Sequence, residues 1–353
     1  MNYLTWGANI NGGYLRSKIP QETSNDVPYN IELAQLADNL GMEGILYPIR
    51  YVGRIGGSNN TDGQFDPLTL ISAMATHTSR IHFLAAILPA FIHPVTLAKA
   101  GATIDHISNG RFHINLVSGW FKSEQEAFGI DWIKHQERYR RSDEFLQVVK
   151  GLWTEDNFSF DGKFYKIQDA SLHPKPLQKP YPAVYQGGNS TSSQQVAAKY
   201  ADVYFMNGAP IEELKPQIDA VTKLAAEKNR TLSFAVAAYV IARETEEEAL
   251  TEYEEILKHA DEASIAQFQK SKETQGMWKN AKTISDFVAN NEGFRTGLIG
   301  SYEQVTEKIL ELESIGVSKI LLALRYPIKE LPLFFEHVVP KTVSFTFNTN
   351  ETL

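Results

Sequence analysis

Short apolar runs recur along the chain at residues 4–10, 44–49, 81–88, 112–117, 183–186, 203–205, 234–242 and 320–324. Several are hydrophobic without alternation, the pattern of a parallel strand covered on both faces. Amphipathic stretches separate them. Residues 29–40 place Leu33, Leu36, Ala37 and Leu40 on one stripe, and Gly41 follows as a stop. Residues 67–78 begin with Pro67 after Asp66, an N-cap followed by a residue tolerated in the first turn. Residues 94–107, 140–153, 192–200, 212–228, 302–315 and 329–338 continue the series. Strands and helices alternating eight times predict a parallel α/β fold, and the simplest closure is a TIM-type (β/α)8 barrel. A doubly wound open sheet would want a glycine-rich turn after its first strand, followed at once by a helix. Here Asn11-Gly12-Gly13 leads into a polar stretch that runs to Pro28, which favours the barrel.

Two segments interrupt the repeat of what otherwise reads as one domain over 1–353. Residues 157–167 alternate apolar and polar positions around Asp161-Gly162 and predict a β-hairpin insertion. Residues 244–294 read as a charged, mostly helical insertion between units seven and eight, broken at Gln275-Gly276. In a barrel that insertion leaves the C-terminal end of strand seven, above the mouth. A lid, an oligomer contact and a solvated decoration all fit it.

Composition narrows the class. The 353 residues are 43% hydrophobic and 22% charged, as in ordinary globular proteins. A net charge of −8 argues against a general nucleic-acid binder. The absence of cysteine removes disulfides, cysteine nucleophiles and thiolate metal sites. The start of the chain shows no basic segment followed by an apolar core, and no apolar run is long enough to span a bilayer, so a cytoplasmic protein is expected. The nine histidines show no zinc spacing, no metal is expected, and no GxSxG elbow is present. With no evident nucleophile, an organic cofactor is expected to carry the chemistry.

Three stretches stand out as its holders. The strand 112–117 delivers Asn115, and Ser118-Gly119-Trp120 follows, with a glycine for close backbone approach and a flat indole for a ring system. Taken singly, Trp120 reads more readily as a buried packing residue and Asn115 as a satisfied core amide. Gly187, Gly188, Asn189 and Ser190 lie between a strand and a helix, where backbone N–H groups and the helix dipole favour an anion. His135-Gln136-Glu137-Arg138-Tyr139-Arg140-Arg141 concentrates cations in an acidic chain, although most such runs are solvated helix starts.

At these residues the chain resembles the bacterial-luciferase-like flavin monooxygenases, over almost its whole length and most closely their dimethyl sulfone branch. WGANINGGYLRSKI, LVSGWFKSEQEAFG, HQERYRRSDEFLQVVKGLWTEDNFSFDGKFYKI, LHPKPLQKPYPAVYQGGNS and RTGLIGS carry the likeness. The resemblance implies FMN, used as FMNH2, across the C-terminal mouth of the barrel. Ile49 and Arg50 would border its ring, Asn115 and Glu124 would bond the ring or ribityl chain, and Arg138, Tyr139, Gly188, Asn189 and Ser190 would hold its phosphate. It further implies a separate NAD(P)H-dependent FMN reductase, O2 as co-substrate, a flavin peroxide, a homodimer or homotetramer, and oxidation of dimethyl sulfone to methanesulfinate and formaldehyde.

Substrate-side roles are expected for Trp6, Trp120, Tyr239, Arg295, Arg325 and Tyr326. Arg325 would either meet a sulfonate or sulfinate or pair with Glu330 or a neighbouring carboxylate. Ala237 and Tyr239 stand where alkanesulfonate enzymes carry Arg and His, which argues against that activity, whereas Arg325 and Tyr326 argue partly for it. An alkanesulfonate or pyrimidine-ring oxygenase, or a non-catalytic flavin- or F420-binding barrel, is the alternative.

Overall fold

Each predicted apolar run becomes a strand because its two faces meet different apolar partners. The strands β1 (Asn2–Trp6), β2 (Gly44–Tyr47), β3 (His82–Ile87), β4 (Phe112–Leu116), β7 (Val184–Gly187), β8 (Val203–Met206), β9 (Ser233–Tyr239) and β12 (Lys319–Ala323) form one closed, all-parallel barrel. The computed structural model describes residues 1–9, 15–52, 64–270, 283, 288 and 293–342. Asn11-Gly12-Gly13 and the Gln275-Gly276 break lie outside the described residues.

Alternate residues of the strands point to opposite faces. Ile45, Phe83, Ile114, Val184, Tyr204, Val236 and Ile320 belong to the main core shared with the outer helices. Leu4, Leu46, Leu84, Tyr185, Val203, Ala235 and Leu321 instead gather into a second cluster, the filled interior of the barrel. Strand β4 contributes polar groups to the interior, His113 below that layer and Asn115 above it, both buried.

The helices follow their caps. Helix α1 (Val27–Asn39) starts where the Asp26 carboxylate accepts from the Tyr29 amide, and α2 (Pro67–Met74) where Asp66 accepts from the Thr69 amide. Helices α3 (Pro94–Ile107), α4 (Lys122–Ala127), α5 (His135–Thr154), α6 (Thr191–Tyr200) and α7 (Ile211–Ala226) continue the order. The predicted hairpin is present as β5 (Phe158–Asp161) against β6 (Lys166–Ala170). Its turn is longer than Asp161-Gly162 because the Glu144 carboxylate of α5 accepts from the Lys163 and Phe164 amides at 3.0 and 2.7 Å.

The run 234–242 is not one strand. It breaks at Val240, and β10 (Ile241–Arg243) leaves the barrel to pair in parallel with β11 (Ile299–Ser301). Helices α8 (Glu246–Lys258) and α9 (Glu262–Lys270) lie between those two strands in the chain. Helices α10 (Tyr302–Ser314), α11 (Pro327–His337) and α12 (Val339–Thr342) complete it. No described helix is long and apolar enough to cross a membrane.

The N-terminal end of the barrel carries an ion pair and a histidine pair. The Lys319 ammonium meets both oxygens of Glu43 at 2.6 and 2.8 Å, and the Tyr185 hydroxyl donates to Glu43 at 3.3 Å. Beside them the His82 and His113 rings stack, with His82 Nδ1 2.8 Å from His113 Nε2. Because the Ala183 amide donates to His113 Nδ1 at 3.1 Å, the His113 proton sits on Nε2 and is given to His82. Burial, with His82 and Lys319 adding to it, pushes His113 down to about 3. A histidine held neutral in this way stabilises the fold fully above its ordinary value near 6.5, and that stability is lost as pH falls towards 3. Within that window each pH unit should remove about 1.4 kcal/mol. Urea unfolding at pH 7 and pH 5 is expected to show a loss of about 2 kcal/mol. The His113→Asn variant, which keeps an acceptor for the Ala183 amide, should lose most of that pH dependence. An equal pH dependence in both proteins would place the acid sensitivity elsewhere.

Candidate active site

The C-terminal rim is assembled from loops that the strands aim at one region. After β7 the backbone turns through Gly188 at φ 126°, a conformation that side chains rarely adopt. A Cβ there would lie 2.7 Å from Ser193 Oγ and 3.1 Å from the Tyr139 hydroxyl, so the loop is drawn tightly against α6 and α5. Ser190 caps α6 by accepting from the Ser193 amide at 3.2 Å, while Ser193 Oγ donates to the Gly187 carbonyl at 3.0 Å. From behind, the Tyr204 hydroxyl donates to the Gly188 carbonyl. The Gly187 and Gly188 carbonyls are thereby engaged, an arrangement in which the first amides of α6 can receive an anion. Asn189 is exposed at its edge.

Helix α5 begins at His135, a turn earlier than its hydrophobic periodicity indicates, and this brings Arg138 and Tyr139 into the same region. Tyr139 faces Gly188. Arg138 is buried, lies 4.0 Å from the Trp132 ring and donates to the Ile133 carbonyl at 2.8 Å, while its Nε has no partner. One turn later the Ser142 hydroxyl donates to that of Ser118 at 2.9 Å, tying α5 to the loop after β4.

Across the mouth stand the residues expected at a ring. Asn115 is buried with an unpartnered Oδ1. Gly119 takes φ 92° and turns the chain into Trp120, whose indole lies 4.3 Å beneath the Arg50 guanidinium. Arg50 follows half-buried Ile49 after β2 and is 3.8 Å from Glu124; burial lowers its pKa and Glu124 opposes that shift. Glu124 itself is buried, and one of its oxygens accepts from the Tyr51 and Val52 amides at 2.8 and 3.3 Å. Its carboxylate therefore joins the loops after β2 and β4, a task that the sequence reading did not foresee.

Above the barrel a separate apolar cluster joins Leu15, Tyr239, Ile241, Phe294 and Ala323 to Ala249 and Ile256 of α8 and Ile265 of α9, with Trp6 and Trp120 packed against it. Tyr239 is buried with its ring 4.3 Å from that of Phe294. Trp6 also touches the barrel-filling cluster, so it stands between interior and mouth. The structure thus brings Trp6, Trp120 and Tyr239 together.

It places the expected cations differently. Arg295 pairs with Glu213 of α7. Arg325 donates to the Pro20 carbonyl at 2.7 Å and to Glu252 of α8 at 3.2 Å, and the Tyr326 hydroxyl donates to the same carbonyl at 3.2 Å. Glu252 also accepts from Arg243, which reaches Glu330 at 2.6 Å; Glu330 accepts from the Tyr326 amide at 2.8 Å. Burial pushes the Arg243 pKa down, but Glu330 and Glu252 together hold it above its ordinary value. Arg243, Glu252 and Arg325 border an open cavity of about 1060 Å3 beside α8. Of the two pairings open to Arg325, a carboxylate partner is the one found, and it is Glu252 rather than Glu330. Arg243 and Glu252 went unnoticed in the sequence because nothing in local spacing links residues 243, 252 and 330.

Comparison with known proteins fits this architecture. The model of the luciferase-like monooxygenase family matches residues 11–319. The chain is 41% identical to an FMNH(2)-dependent dimethylsulfone monooxygenase of Pseudomonas putida, over 96% of this chain and 94% of that protein. The counterpart in Pseudomonas fluorescens (strain Pf0-1) is 38% identical over the same shares. Among solved structures, DmoA from Hyphomicrobium sulfonivorans superposes with a TM-score of 0.80 at 20% identity, covering 97% of this chain and 87% of that one, a likeness of fold. The chain belongs to the luciferase-like monooxygenase family.

Proposed function

We propose that the protein is an FMNH2-dependent monooxygenase that oxidises dimethyl sulfone to methanesulfinate and formaldehyde. Two features of the rim fit a phosphorylated flavin: the Gly188–Ser190 cradle, which a Cβ at Gly188 would fill, and the unpartnered buried atoms Arg138 Nε and Asn115 Oδ1. Arg138, Tyr139, Gly188, Asn189 and Ser190 hold the phosphate in this reading, with Asn115 at the ring or ribityl chain. Ile49 and Arg50 border the ring. Glu124 acts through Arg50 and the two amides that it fixes.

When bound, reduced FMN supplies two electrons and the means of activating O2, and a separate NAD(P)H-dependent reductase renews it. The chain's own contribution is to position and enclose. Trp6, Trp120, Tyr239 and Phe294 offer an apolar wall on which two methyl groups can rest. Helices α8 and α9, the described part of the 244–294 insertion, cover that wall and act as a lid that keeps water out. One oxygen atom enters a methyl C–H bond; loss of formaldehyde then breaks the C–S bond and leaves the sulfinate, while the second oxygen atom leaves as water.

The observation that carries the substrate assignment is the pairing of the rim cations. Arg243 and Arg325 are met by Glu252 and Glu330, and Arg295 by Glu213. A neutral sulfone needs no free guanidinium, whereas a sulfonate does. With reduced FMN, O2 and dimethyl sulfone, the protein is expected to form formaldehyde and methanesulfinate in equal amounts and to leave methanesulfonate untouched. Oxygen consumption without sulfone loss would contradict the assignment. The Glu252→Gln variant is expected to free Arg325 and tighten methanesulfonate binding about tenfold, about 1.4 kcal/mol, as read by calorimetry. Unaltered anion binding would mean that Glu252 anchors α8 without setting specificity.

A further inference from the structure

The cations around the start of α5 are not equivalent. Arg140 lies 3.6 Å from Glu144, and Lys163 of the hairpin turn is 2.5 Å from Glu137. Arg138 rests on the Trp132 ring and donates to the Ile133 carbonyl. Arg141 differs from all three. Two of its guanidinium nitrogens, Nε and Nη2, are buried and have no hydrogen-bond partner. Burial lowers its pKa, with Tyr165 opposing the shift. Tyr165 in turn reaches the Pro89 carbonyl at 3.4 Å and packs against Phe145 and His93, so Arg141 sits where α5, the hairpin and the loop after β3 converge.

Two buried guanidinium donors without partners are costly, since they have left water and gained no hydrogen bond. Such a charge is retained where a ligand completes it. Arg138 and Arg141 are three residues apart on one helix, so their side chains are neighbours, and each carries an unused buried donor. Together they form a fork suited to a dianionic oxyanion. The acidic residues of the next turn are engaged elsewhere, Asp143 by Lys199 and the Tyr200 hydroxyl of α6 and Glu144 by Arg140 and the hairpin amides.

We propose that Arg141 is a phosphate-binding residue, closing on the phosphate monoester of the flavin together with Arg138 from the side opposite the Gly188–Ser190 cradle. The inference rests on the flavin reading above and adds to it a ligand that the family resemblance does not assign.

The Arg141→Met variant separates this role from a structural one, because methionine keeps the apolar stem while removing the charge and the donors. Anaerobic titrations of wild type and variant with reduced FMN and with reduced riboflavin, which lacks the phosphate, give the readout, and thermal unfolding of the unliganded proteins accompanies them. Arg141→Met should weaken FMN binding about ten- to hundredfold, leave riboflavin binding within about twofold, and keep or raise the unfolding temperature. Arg141→Lys should fall between, having charge without the fork. If wild type prefers FMN and Arg141→Met prefers it equally, Arg141 is not a phosphate ligand, although the cradle stands. A matching loss for both flavins with a lower unfolding temperature would make Arg141 structural and also overturn the proposal. A wild type that binds both flavins alike would remove the phosphate site altogether, and Arg141's role with it.

Discussion

Closing eight parallel strands obliges alternate side chains to fill the space inside, and here they fill it in three chemically different layers. Apolar residues from seven strands, with Leu4, Leu84 and Leu321 among them, occupy the middle. Below them Glu43 pairs with Lys319 and His82 with His113. Above them Trp6 and Asn115 open onto the rim. The apolar layer separates two polar ends, so chemistry at the rim proceeds without a path through the barrel. Every loop with a candidate functional side chain then departs from the same end of the same rigid wall, which allows residues 50, 120, 139, 188 and 239 to converge although they are far apart in sequence.

Charge at that rim is managed residue by residue. Glu252 and Glu330 cancel Arg243 and Arg325 where α8 meets the last strand, and Glu124 anchors Arg50 over Trp120. Among the described residues, Arg138 and Arg141 of α5 each keep a buried guanidinium donor without a partner, on the helix whose Tyr139 faces Gly188. The same residue type thus does opposite work at two sides of one mouth: neutralised next to the apolar chamber, unneutralised next to the anion cradle. That division suits a cofactor with a charged tail and a substrate without charge.

Much of this was legible in the sequence. Helix 94–107 was found to the residue, since a proline opens it and Ser108-Asn109-Gly110 closes it, and the strands followed from uninterrupted apolar runs. The misreadings share a physical cause. Helix α5 buries Arg138, Ser142 and Glu144 through partners on other elements, and hydrophobic periodicity is blind to a polar inner face. The hairpin turn was lengthened by Glu144, and the run 234–242 was divided because residues 241–243 find a better partner in β11 than in the barrel. The GGNS cradle was visible because its chemistry is local, a glycine turn before a helix. The partners of Arg325, Arg295 and Glu124 were not, because each lies tens of residues away.

The position of the flavin decides between these roles of the rim. A crystal structure of the protein with FMN, grown from phosphate- and sulfate-free solution, is the most direct measurement. The phosphate is expected between the Gly188–Ser190 amides and the α5 arginines, with the ring reaching towards Asn115 and Trp120. A flavin elsewhere, in the open cavity beside α8 for example, would contradict it.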